Sequence, residues 1–120
     1  MDAEALKSRT KQFGLRVIHL VESLPSTRTA NVIGNQLLRS GTSVGANYRS
    51  ACRGRSKADF ISKVGIAIEE ADESLYWMEM LVEAELVSEN RLADLMKEAN
   101  ELIAILTASV KTARSHLARK

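Results

Sequence analysis

The chain has 120 residues, 45% of them apolar and 27% charged, with one proline and six glycines. This composition excludes a disordered or fibrous chain, and the length suits one domain, residues 1–120, rather than two. The net charge of +2 hides an imbalance: residues 1–57 carry ten Lys/Arg and three Asp/Glu, a net +7, whereas residues 58–120 carry seven and twelve, a net −5. Two arrangements account for such a split: basic helices packed beside acidic ones, or a basic surface facing a polyanion.

A single cysteine, Cys52, cannot close an internal disulfide, which suits a reducing cytoplasm. The opening Met1-Asp2-Ala3-Glu4 lacks the basic and apolar segments of a secretory signal. The uncharged stretch Leu102–Val110 is far too short to span a bilayer, so no membrane partner is expected. Phe13, Tyr48, Phe60, Tyr76 and Trp77 are the only aromatics, and the core must be built mainly from Leu, Ile, Val, Ala and Met.

Pro25, the Gly54 region and Ser88-Glu89-Asn90 divide the chain into four helical stretches, with no strand-like alternation between them. The first helix is expected over about residues 3–24, with Leu6, Phe13, Val17, Leu20 and Leu24 inward, and Pro25 stops it. Ser26 or Thr27 caps the second, over about 27–52, whose inward stripe is Ala30, Ile33, Leu37, Gly41, Val44 and Tyr48. Glycine costs about 1 kcal/mol inside a helix, so Gly34, Gly41 and Gly45 on one side of it imply close approach by a neighbour. Ser56-Lys57-Ala58-Asp59 resembles a capping box and opens the third helix, over about 57–87, with Phe60, Val64, Ala67, Ala71, Leu75, Met78 and Val82 inward. The fourth is expected over about 90–117, with Leu92, Leu95, Ala99, Ile103, Leu106, Val110 and Leu117 inward. Short connections between long helices predict an all-α, antiparallel up-down-up-down four-helix bundle.

The third helix has a second apolar stripe. At about 100° per residue, Ile66, Trp77, Met80 and Ala84 gather on the side away from Phe60 and Met78. Two opposed apolar faces predict a second partner, most simply another copy of the chain. On the second helix, Gln36, Ser40, Ser43 and Asn47 make an uncharged stripe that predicts buried polar contacts across a helix or subunit interface. A third sector carries Arg28, Arg39, Arg49 and Arg53, extended by Arg55 and Lys57.

No catalytic or metal constellation and no cofactor motif emerges. His19 and His116 have no Glu or Cys at ligand spacing, and Glu69, Glu70, Asp72 and Glu73 point in several directions on a helix. Cys52 reads as a small buried residue without a base. The start of the third helix, beside Arg53, Arg55 and Lys57, offers backbone N–H groups for a phosphate or sulfate.

Three segments carry a family resemblance: the run from Gln36 to Arg49, Asp59-Phe60-Ile61-Ser62-Lys63, and the run from Glu70 to Trp77. They resemble the four-helix-bundle proteins called 23S rRNA intervening-sequence proteins, over roughly residues 10–110. The resemblance implies an antiparallel bundle that assembles into a ring-like homopentamer. Many members have an acidic residue shortly after the asparagine–aromatic pair, where this chain has Ser50.

The expected function is a non-enzymatic oligomeric bundle, a cytoplasmic scaffold or accessory subunit that needs no cofactor. The second reading is an RNA- or DNA-binding ring that uses Arg39, Arg49 and Arg53, assisted by Arg55 and Lys57. The same stripe also suits pairing with a neighbouring subunit's Glu69, Glu73, Glu79 and Glu83.

Overall fold

Three of the four helices begin where a short polar side chain takes up an otherwise unpaired N–H. In this computed structural model, which describes residues 1–118, Asp2 Oδ1 accepts the Ala5 N–H at 2.8 Å and opens α1, Ala3–Glu22. Thr27 Oγ1 accepts the Ala30 N–H at 3.2 Å and opens α2, Arg28–Cys52. Ser56 Oγ accepts the Asp59 N–H at 3.1 Å and opens α3, Lys57–Glu83. The fourth helix, α4, spans Glu89–Ala118, and no strand occurs among the described residues.

Two helices stop earlier than their apolar patterns predict. Helix α1 ends at Glu22 rather than Leu24, because Ser23 and Leu24 donate to the Leu20 and Val21 carbonyls in a closing turn. Helix α3 ends four residues before the expected residue 87. There the Leu86 N–H reaches the Leu81 carbonyl at 2.9 Å and the Glu85 N–H reaches Val82 at 3.0 Å. Glu85 adopts the left-handed conformation (φ 60°) that this cap demands. Val87 then folds back into the core, so its hydrophobicity belongs to the cap and not to a continuing helix.

The described residues extend over 53 × 21 × 20 Å. Helix α2 packs on α1 and α3, α3 packs on α4, and α1 touches α4 more lightly. The α1–α2 contact is close because its glycines carry no Cβ. A Cβ on Gly41 would stand 2.7 Å from Val17, one on Gly34 2.9 Å from Leu24, and one on Gly45 3.2 Å from the Thr10 backbone. Across α2 and α3, the Ser40 and Ser74 hydroxyl oxygens lie 2.9 Å apart. Arg9 bridges α1 to α4: its Nε donates to Glu98 and one terminal nitrogen donates to both Glu98 and Glu101, each at 2.7 Å. The Glu98 hydrogen bonds hold the Arg9 guanidinium still more firmly protonated.

The core runs through all four helices, with Phe13, Leu37, Val44, Val64, Met78, Leu92, Leu102 and Leu106 fully enclosed. Each such side chain contributes about 1.5–3 kcal/mol relative to exposure. Several positions depart from the expected stripes. Leu24, Phe60, Leu75, Val82 and Ile103 are half-buried at the margins, and Leu117 is 41% exposed. Helix α4 is ten residues longer than α1, so its last turns pass beyond that partner. Conversely, Thr10 is buried with its hydroxyl donating to the Leu6 carbonyl at 2.9 Å, and Gly14, Ser74, Leu81, Leu102 and Ala113 join the interior. No helix of the described residues is long and apolar enough to cross a membrane.

Candidate assembly face and basic end

The inward face of α3 carries Val64, Ala67, Ala71 and Met78. Its outward face presents Ile66 (42% exposed), Tyr76 (51%) and Met80 (37%) to solvent. Trp77 lies half-buried at the edge of this face, packed against the core and edge-to-face with Tyr76 at 5.1 Å. The indole N–H donates to Glu73 at 3.0 Å, which satisfies its one polar atom. Of the four residues expected at an interface, Ile66, Trp77 and Met80 therefore share the α3 face. Ala84 is exposed but sits in the cap beyond the helix end. Sequence reasoning missed Tyr76, whose signal was its place four residues before Met80.

The uncharged stripe of α2 is not uniformly buried. Ser40 alone is enclosed and meets another helix, through Ser74. Gln36 is exposed, while Ser43 and Asn47 are half-buried and donate within α2, to the carbonyls of Arg39 at 2.7 Å and Ser43 at 2.9 Å. The stripe follows the rim of the α2–α3 contact, so only its most inward member is fully covered.

The basic stripe divides into two parts. Arg39 is neutralised within the chain: it donates to Glu70 at 3.0 Å and to Glu73, and Gln36 Oε1 lies 3.3 Å away. Of the acidic partners expected from a neighbouring subunit, Glu73 is thus already engaged by its own chain. Arg49, Arg53, Arg55 and Lys57 are exposed and pair with no described carboxylate. Lys7, Lys11 and Arg49 line a cleft of about 560 Å³ between α1 and α2. Arg55, Lys57 and His116 line another of about 780 Å³ at the end of the bundle, with Phe60, Ile105 and Cys52 among its walls.

The start of α3 is a poorer phosphate cradle than its sequence suggests. Ser56 occupies one N–H, and the chain's own Asp59 supplies the negative charge there, its carboxylate 2.7 Å from where a Gly54 Cβ would stand. Cys52 is half-buried rather than enclosed. Burial pushes the hydroxyl of Tyr48 well above the usual phenol range, with the neighbouring Cys52 adding to the shift. His19 and His116 are exposed. Among the described residues no three His, Cys, Asp or Glu side chains gather as metal ligands.

Comparison with curated proteins gives no match. Among solved structures, the chain is similar to a protein of unknown function from the S23 ribosomal protein family of Bacteroides thetaiotaomicron VPI-5482. The two are 34% identical with a TM-score of 0.86, over 92% of this chain and 99% of that one. The family model for the 23S rRNA-intervening sequence protein matches residues 5–108. With the family model spanning most of the chain and four helices in place, this protein belongs to the 23S rRNA-intervening sequence protein family.

Proposed function

We propose that this protein is a non-enzymatic, self-associating scaffold or accessory subunit of the cytoplasm, a single antiparallel up-down-up-down bundle whose copies meet through the outward face of α3. The observation that carries the reading is the exposure of Ile66, Tyr76 and Met80 together on α3, opposite its core face, with Trp77 at their edge. Clustered apolar groups on one helix face leave water favourably when another surface covers them. A ring buries such a face in every subunit when it covers a different surface of the next copy, and the family resemblance favours five copies.

The antiparallel order has its own support. Thr10 meets Gly45, Val17 meets Gly41 and Leu24 meets Gly34, so rising numbers in α1 pair with falling numbers in α2. Arg91 donates to Ser23 Oγ at 2.6 Å and Arg9 reaches Glu98, which gives α1 and α4 the same opposed sense.

Replacing Ile66 and Met80 together by Asp tests the reading, because both side chains are exposed in the single chain and neither substitution opens its core. Light scattering after size exclusion should show the variant at the 13.2 kDa monomer mass with its helicity retained. A double variant that keeps the wild-type mass would move the assembly face off α3. Trp77→Asp is less informative, since Trp77 also packs on the core.

A further inference from the structure

The fold sorts charge along the long axis in a way the order of the sequence conceals. The start of α1, the end of α2, the start of α3 and the end of α4 meet at one end of the bundle, where Met1, Cys52, Lys57, Phe60, Ile105 and His116 line one cleft. Residues 1–11, 45–63 and 98–118, which include Glu98 and Glu101 beside Arg9, form that end and carry ten Lys/Arg against five Asp/Glu, a net +5. The remaining described residues carry five against ten, a net −5.

Five features of this end select a partner. The connection Arg53-Gly54-Arg55-Ser56-Lys57 displays three exposed cations that pair with no described carboxylate. It turns tightly because Gly54 has no Cβ to meet the Ala51 carbonyl, which would stand 2.9 Å away. Arg49, Arg53, Arg55 and Arg114 are exposed here, and a guanidinium matches paired phosphate oxygens. Met1 and Leu117 are the large apolar residues exposed here among those described, so the aromatic anchors of a membrane-seated surface are lacking. Tyr48 is buried and Phe60 half-buried in the cleft, so no aromatic ring stands fully exposed at this end to stack single-stranded bases. The bundle is about 21 × 20 Å across, and a nucleic-acid duplex presents about 12 phosphate charges over such a width.

We propose that this basic end binds duplex nucleic acid through the phosphate backbone, with Arg53, Arg55 and Lys57 at its centre and Lys11, Arg49 and Arg114 beside them. The contact reads no bases and has no sequence preference. It does not depend on assembly through α3, although a cyclic ring would gather the basic ends on one rim.

The test is fluorescence anisotropy of the full chain with labelled DNA and RNA duplexes of about 20 base pairs, from about 50 to about 300 mM salt, with the protein's mass measured alongside. Wild type should bind at least one duplex with strong salt dependence. Arg53→Gln, Arg55→Gln and Lys57→Gln together should lower the slope of log K against log salt by about 2.7, at about 0.9 per phosphate contact. Arg16→Gln, Arg28→Gln and Lys97→Gln together remove the same charge elsewhere and should change the slope by less than about one. All six side chains are exposed, so both variants should melt as wild type does. Binding by a monomeric wild type with this variant pattern would support the basic end while removing the assembly. Absence of duplex binding at low salt, equal loss in both variants, or binding only to vesicles containing phosphatidylserine would overturn the proposal.

Discussion

Gly41 of α2 and Val17 of α1 interlock: a Cβ on the glycine would stand 2.7 Å from Val17 Cγ2 and 2.8 Å from Cγ1. Branched Val17 is buried and cannot swing clear. Gly41→Ala should therefore destabilise by about 1–3 kcal/mol despite alanine's better helix propensity, and Gly41→Leu by more. Gly65 of α3 is the control, since nothing lies within 4 Å of where its Cβ would stand. Gly65→Ala should stabilise by up to about 1 kcal/mol when made in the monomeric Ile66→Asp, Met80→Asp background, where the α3 face is uncovered. Urea midpoints at one protein concentration check both signs, and a stabilised Gly41→Ala would mean that α1 and α2 are not so closely packed.

Arg9 is the main polar tie between α1 and α4, and its side chain is only 26% exposed against 16% for Glu98. Fork-like geometry and partial burial lift this pair above an ordinary surface ion pair. A double-mutant cycle with Arg9→Gln and Glu98→Gln should give a coupling of about 1 kcal/mol that shrinks in high salt. Zero coupling at low salt would leave α1 and α4 held by apolar packing alone.

Much of this architecture was legible in the chain. Pro25, Gly54 and the stretch around Ser88 separate the helices where expected, and the stripe Ala30, Ile33, Leu37, Gly41, Val44 and Tyr48 is buried throughout. What escaped depends on contacts remote in sequence or on unusual local geometry. The α3 stop at Glu83 rests on Glu85 in a conformation that usually advertises itself by glycine. Thr10 reads as a surface residue until its hydroxyl finds the Leu6 carbonyl. Arg9 and Glu98 are 89 positions apart, so only the helix order brings them together. The arginine stripe was visible as a periodicity, but that Arg39 is neutralised by Glu70 and Glu73 follows from the α2–α3 register.

That register gives Arg39 a structural role. With two carboxylates on its guanidinium, Arg39→Gln should leave the salt dependence of duplex binding unchanged, unlike the change at Arg53, Arg55 and Lys57. It should instead cost about 1 kcal/mol of stability and free Glu73 around Trp77, seen as a change in tryptophan emission. A drop in the salt slope for this single variant would return Arg39 to the binding surface.

The most direct measurement on the central claim is the mass of the wild-type chain in solution at micromolar concentration, by native mass spectrometry or sedimentation equilibrium. Burial of the α3 face between copies predicts a closed assembly several times the 13.2 kDa chain mass, with five copies giving about 66 kDa. A single species at 13.2 kDa would contradict it, for Ile66, Tyr76 and Met80 would then stand in water.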